Sequence, residues 1–159
     1  MKLKTSIKKI TIGEYEQYLS LLFDETKDNL TKNIEAISIF SELSIGEIES
    51  LKIRKYKSLM LKLSTINFHT KKIKNEIKIN GIIYKSNSTK DNIKINVKES
   101  FLMRDLEVPT PSKLMGIFFR PVNNHNDYSK SGIEERSKLF KDVSVDYILP
   151  YLTYNYENS

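Results

Sequence analysis

A chain of 159 residues with a formal net charge of +6 and no cysteine has room for one core burying roughly 70% of its unfolded surface, and it excludes disulfides, thiolate chemistry and Cys-ligated metal. Its apolar runs reach only about five residues, far below the ~20 that a membrane helix requires. "MKLKTSIKKI" has no apolar run behind its lysines, so no secretory signal is expected and the chain reads as a soluble protein made in a cytoplasm.

In chain order, "TIGEYEQYLSLLF" reads as a helix. Thr11 and Glu14 have the spacing of a capping box, and Ile12, Tyr15, Leu19, Leu22 and Phe23 recur on one predicted apolar face. After the acidic turn "DETKDN", "LTKNIEAISIFSEL" predicts a second helix with Leu30, Ile34, Ile37 and Phe40 inward. Ser44 and Glu47 repeat the capping box and open a short helix. "RKYKSLMLKLSTINF" follows as a longer one, with Tyr56, Leu59, Met60, Leu63 and Ile66 inward and lysines outward. The period then shortens to two. "EIKINGIIYK" alternates around Asn80-Gly81, the pair that supplies the positive φ angles of a type I′ turn, so a β-hairpin is expected. "NIKINVKES", with Ile93, Ile95 and Val97 alternating, predicts a third strand.

"VPTPSKLMGIFF" returns to helix, with Thr110 as cap and Pro111 at the first helical position. Pro121 disfavours helix at Arg120, so "RP" is a stop, with Ile117, Phe118 or Phe119 in the core and Arg120 bonding a carboxylate or helix-end carbonyls. "GIEERSKLF" predicts another short helix. Ser144 is the expected cap of "VDYILPYLTY", which Pro150 kinks or splits. The expected fold is mainly helical α+β, in one domain over 1–159: N-terminal helices within 1–68, a small central antiparallel hairpin or sheet within 76–98, and C-terminal helices within 110–156.

Little here carries catalysis. His69 and His125 are the only histidines, in unrelated contexts and without the spacing of a metal site. No phosphate-binding glycine loop is present, and adjacent Glu134 and Glu135 on a helix point apart. We expect no enzyme activity, cofactor or metal.

Charge is the stronger signal. Residues 10–51 carry two basic and nine acidic residues, whereas 52–100 carry thirteen basic and three acidic. An AT-rich coding bias accounts for many lysines, since the chain has 22 Lys, 20 Ile, 13 Asn and one Ala; it does not account for the separation of signs. Lys71, Lys72, Lys74, Lys78, Lys85, Lys90, Lys94 and Lys98 form a candidate basic patch for an acidic protein surface or for DNA phosphates. Tyr147, Tyr151 and Tyr154, with Tyr156 beyond, read either as a core-facing stripe or as an exposed aromatic anchor.

The order of "KITIGEYEQYLSLL", "AISIFSELSIGEIESL", the "KINGIIYK" hairpin, "LMGIFFRPV" and "EERSKLFKDVSVDYILPYLTYNY" resembles small proteins encoded in the virion-structure modules of tailed phages of gut Bacteroidetes, crAss-like phages included. The resemblance spans nearly the whole chain. Its sharpest element is "RP…Y…ER…F", in Arg120, Pro121, Tyr128, Glu135, Arg136 and Phe140. Such proteins often end near a Phe-Phe pair, where this chain has Tyr151 and Tyr154. The resemblance implies a non-enzymatic virion protein of the tail or portal region, or of the capsid interior, present in several copies and held by other virion proteins. Tail assembly chaperones and internal virion proteins are alternatives within it, and a basic module touching packaged DNA is another. Tyr147, Tyr151, Leu152, Tyr154, Arg120, Tyr128 and Arg136 are the expected interface residues.

Overall fold

The computed structural model describes the backbone of residues 2–158 and the side chains of residues 2–154. Helix starts coincide with local acceptors for the first free amides. In α1 (Ile12–Leu22) Thr11 and Glu14 close both halves of a capping box. Asp28 caps α2 (Asn29–Phe40) by accepting from Thr31 N at 2.7 Å. Ser44 and Glu47 form a second capping box at α3 (Ile45–Glu49), and α4 (Ile53–Ser64) follows without a side-chain cap. Such caps each contribute about 1 kcal/mol.

The hairpin forms as expected. β1 (Glu76–Ile79) pairs antiparallel with β2 (Ile82–Lys85), Ile79 opposite Ile82, and Asn80 and Gly81 take φ of 50° and 80°.

The third strand is not where alternation placed it. Residues 97–104 are α5 (Val97–Arg104), opened by a capping box in which Asn96 accepts from Glu99 N and Glu99 from Asn96 N. Ile93 and Ile95 do pack on the core, but as loop. Two reciprocal hydrogen bonds at Asn96 outweigh a short period-two pattern that lacks a partner strand.

The sheet is completed from further along the chain. After α6 (Pro111–Phe118), capped by Thr110, the two-residue β3 (Arg120–Pro121) pairs antiparallel with β2, Lys85 opposite Arg120. A 3₁₀ turn at Val122–Asn124 leads to α7 (Lys130–Phe140), capped by Ser129. A second 3₁₀ turn, Val145–Tyr147, precedes α8 (Leu149–Asn158), so Pro150 lies in a first helical turn where its missing N–H costs no hydrogen bond. Ser144 is not the side-chain cap expected of it. Its hydroxyl oxygen lies 2.7 Å from Asp146 Oδ1 and 3.0 Å from the Ile7 carbonyl oxygen, and its one proton is shared between those two acceptors.

The protein is thus mainly helical α+β with a three-stranded antiparallel sheet. Its core joins Phe40, Ile37 and Leu59 from the N-terminal helices to Met115, Ile117, Phe118 and Phe119 of α6 and its end, Phe140 of α7, and Ile148 and Tyr151 near the C-terminus. Backbone bonds fasten the entry to α1 onto the segment after α7: Ile12 N to Val143 O at 2.8 Å and Val145 N to Ile10 O at 2.9 Å. The outer end of the predicted α1–α2 face differs from expectation. Leu22, Phe23 and Leu30 are exposed, because α1 ends at Leu22 and the chain turns there, while Ile12, Leu21, Ala36, Ile37 and Phe40 are buried and Tyr15 and Ile34 pack against the core as expected.

Candidate interaction site

Three of the residues expected at an interface are internal. Arg120 is 0% exposed. It leaves the end of α6 and enters β3, where its guanidinium meets groups from three directions. Nη1 donates to Glu99 Oε1 at 2.5 Å and to the Ile117 carbonyl at 2.6 Å, and Nε donates to the His125 carbonyl at 2.7 Å. The Tyr128 ring lies 4.4 Å from the guanidinium carbon. A planar five-donor group suits such a junction, where a helix end and a carboxylate need donors at fixed angles.

Glu99 was not legible as a core residue, yet it is 1% exposed. Its carboxylate closes the α5 capping box, accepts from Asn87 Nδ2 at 2.9 Å and pairs with Arg120. The N-x-x-E spacing of Asn96 and Glu99 was the available signal for the helix start. No local signal reported the burial, because the partner lies 21 positions away.

Arg136 repeats the arrangement one layer over. Nε donates to the Gly116 carbonyl at 2.9 Å, Nη1 to Asp127 Oδ2 at 2.8 Å and Nη2 to the Asp127 carbonyl at 2.9 Å. Burial lowers its pKa, an effect opposed by Asp127. Ser129 chiefly, then Arg136, hold the Asp127 carboxyl below its ordinary value. Tyr128 closes this loop, its hydroxyl accepting from Asn96 Nδ2 at 2.8 Å and its ring facing Lys98 Nζ at 4.7 Å. Of the "RP…Y…ER…F" residues, Arg120, Arg136 and Phe140 are therefore buried framework, Pro121 and Tyr128 are half-buried, and Glu135 is exposed.

The C-terminal aromatics require a similar correction. Tyr151 is buried, not presented as an anchor. It stacks on Phe118 at 4.9 Å between centroids and its hydroxyl shares a 2.6 Å hydrogen bond with Ser86. Burial raises its pKa above the ordinary value of 10.0. Tyr147, Leu152 and Tyr154 are half-buried against the same core, and Tyr156 lies outside the described side chains. Tyrosines at helical spacing meet a core whenever earlier segments offer a cover, here α6 and the loop after β2.

The lysine patch is mixed. Lys74 is committed internally, to Asp146 at 2.7 Å and over the Tyr147 ring at 4.6 Å. Lys85 pairs with Glu76, and Lys98 faces Tyr128. Lys71, Lys72, Lys78, Lys90 and Lys94 are exposed and hold no carboxylate among the described residues. His69 is exposed, while His125 accepts from Arg120 through its carbonyl and its ring Nε2 lies 3.1 Å from the Lys85 carbonyl oxygen.

An open polar cleft of about 870 Å³ lies beside α1, lined in part by Glu14, Glu16, Asp24, Lys27, Glu35 and Lys141. Its acids are engaged: Glu14 by Lys4, Glu16 by the Ser112 amide at the start of α6, and Glu35 by Lys27.

The surface also shows large apolar side chains in charged surroundings. Phe23 is 80% exposed at the α1–α2 turn, and Ile53 and Leu61 are 66% and 70% exposed on α4. Among the described residues, no helix is long and apolar enough to cross a membrane. No protein-family model, curated protein or solved structure matches this chain.

Proposed function

We propose that this chain is a non-catalytic structural protein of a tailed-phage virion, a multi-copy component of the tail or portal region that is held by contacts with other virion proteins. The resemblance in sequence order supplies the phage context. The observation that carries the protein-contact reading is the exposure of Phe23, Leu30, Ile53 and Leu61 amid segregated charge. Large apolar side chains set in charged rims are characteristic of protein-binding surfaces. The proposed location is the virion, with the capsid interior as the alternative place for an internal protein.

Quantitative mass spectrometry of purified particles tests this. A structural component is present at fixed stoichiometry with its neighbours. A tail assembly chaperone is abundant in infected cells and missing from particles. The exposed lysines 71, 72, 78, 90 and 94 favour one second reading, a module touching packaged DNA. That reading requires DNA affinity that falls steeply and log-linearly with salt.

A further inference from the structure

Two exposed patches of this chain are complementary to each other but do not cover each other. The first is the α1–α2 turn. Leu22, Phe23 and Leu30 are exposed there, Phe23 most of all, beside Asp24, Glu25 and Asp28. One lysine lies in that stretch, Lys27, and it is tied to Asp24 and Glu35; with Lys32, whose Nζ donates to the Leu22 carbonyl at 3.1 Å, the patch sets three acids against two bases. Hydrogen bonds from Thr26 and Thr31 hold the Asp24 and Asp28 carboxyls below the ordinary range, so both carry charge at neutral pH.

The second patch is the outer face of α4. Tyr56, Leu59, Met60 and Leu63 turn inward. Ile53, Lys57 and Leu61, all exposed, follow at four-residue spacing in one row that leads from the edge of the inward face, beside Met60, round to its far side at Leu61. Residues 52–64 hold four lysines, one arginine and no acid. The apolar pair is thus set in a basic surround as Phe23 is set in an acidic one.

We propose that the α1–α2 turn of one copy docks on the outer face of α4 of a second copy, with Phe23 between Ile53 and Leu61 and the acidic turn against Arg54, Lys57 and Lys62. The occupant is another copy of this chain because both halves of the match, apolar centre and opposite charge, are present once on each molecule. Such a contact is heterologous: each copy offers a turn to one neighbour and a helix to the other. Repeated, it closes into a ring or extends as a filament. The inference supplies a contact surface for the multi-copy reading above and rests on it for the expectation that copies meet.

The test uses the purified full chain, with mass photometry and sedimentation at low and at high salt. Wild type is expected to form species larger than dimers that dissociate as salt rises. Phe23→Asp and Leu61→Asp, both at exposed positions, should each leave the thermal midpoint near wild type and weaken association by at least ~10-fold, as expected for loss of an aromatic or apolar anchor. Mixing the two variants is decisive. One retains a working helix face and the other a working turn, so together they form one native contact and stop at 1:1 dimers. A wild type that stays monomeric, variants that assemble like wild type, or a mixture that stays monomeric overturns the proposal. So does a Leu61→Asp or Lys57→Glu chain whose only change is lost binding of duplex DNA, which makes nucleic acid the occupant of α4. Recovery from particles of a chain that does not self-associate sinks this contact and leaves the virion reading standing; self-association through these residues in a chain missing from particles does the reverse.

Discussion

Arg120 and Glu99 form an ion pair from which solvent is excluded on both sides, 2.5 Å apart and 0% and 1% exposed. The pair joins α5 to the strand that completes the sheet, and each partner also satisfies backbone groups, Glu99 at the start of α5 and Arg120 at the end of α6. Removing one member leaves a buried charge with no counter-ion. Arg120→Met or Glu99→Leu alone should therefore cost about 3–5 kcal/mol, read as a fall in the urea midpoint. The double substitution should cost clearly less than the sum of the two single losses, because the uncompensated charge is gone while the orphaned backbone groups remain. If the two single losses simply add in the double variant, the charges do not depend on each other as described.

The C-terminal segment should behave as core. Ile148, Leu149 and Tyr151 are at most 2% exposed. Truncation after Val145 removes all three, and the expected result is loss of the cooperative thermal transition seen by circular dichroism. Tyr151→Phe keeps the ring on Phe118 and removes only the hydroxyl bonded to Ser86, a loss of about 0.5–1.5 kcal/mol. A truncated chain that melts like the full one would return these tyrosines to the surface.

Gly116 permits α6 and α7 to approach at van der Waals distance. A Cβ built there would lie 2.8 Å from both the Ile133 carbonyl oxygen and the Ser137 hydroxyl. The carbonyl belongs to the α7 main chain and cannot swing aside, so Gly116→Ala must push the helices apart and disturb the Arg136 bond to the Gly116 carbonyl. The expected cost is about 1–3 kcal/mol despite alanine's better helix propensity. Gly46, with nothing within 4 Å of its Cβ position, is the control, and its Ala variant should not be destabilised.

Stability should fall at both ends of the pH range. Asp127 is held below its ordinary value of 3.8, first by hydrogen bonds from Ser129 and then by Arg136. Its folded pKa is the lower one, so its contribution is full above about pH 4 and is lost as pH drops through the folded value. Asp24, Asp28 and Glu47 are lowered in the same direction by Thr26, Thr31 and Ser44. Asp127→Asn should flatten part of this acid limb in chemical-denaturation curves taken between pH 5 and 2. At the other end, burial raises Tyr151 above 10.0. Its folded pKa is the higher one, so stability is intact below pH 10 and declines above it. Tyr151→Phe should remove that decline, and tyrosinate absorbance should show a late-titrating phenol that this variant lacks.

What the sequence determined by itself was the set of local decisions. Thr11 with Glu14, Ser44 with Glu47 and Thr110 before Pro111 mark helix starts because the bonds they make span three residues. Asn80-Gly81 places the hairpin turn because two adjacent positive φ angles are a property of those two residues. Pro121 ends α6 for an equally local reason. Tertiary structure decided the rest. Glu99 is buried because Arg120 reaches it, and the open edge of β2 was taken by Arg120–Pro121, whereas the start of α5 at Asn96 rests on a capping box as local as the others. Tyr151 is core because Phe118 and Ser86, from two distant segments, meet it. Phe23 is exposed although it falls on the periodic face of α1, because the helix ends before it and the chain turns away. A helical or alternating pattern states which side chains share a face. Which faces find a cover is set by segments tens of residues away, whose approach no single stretch encodes.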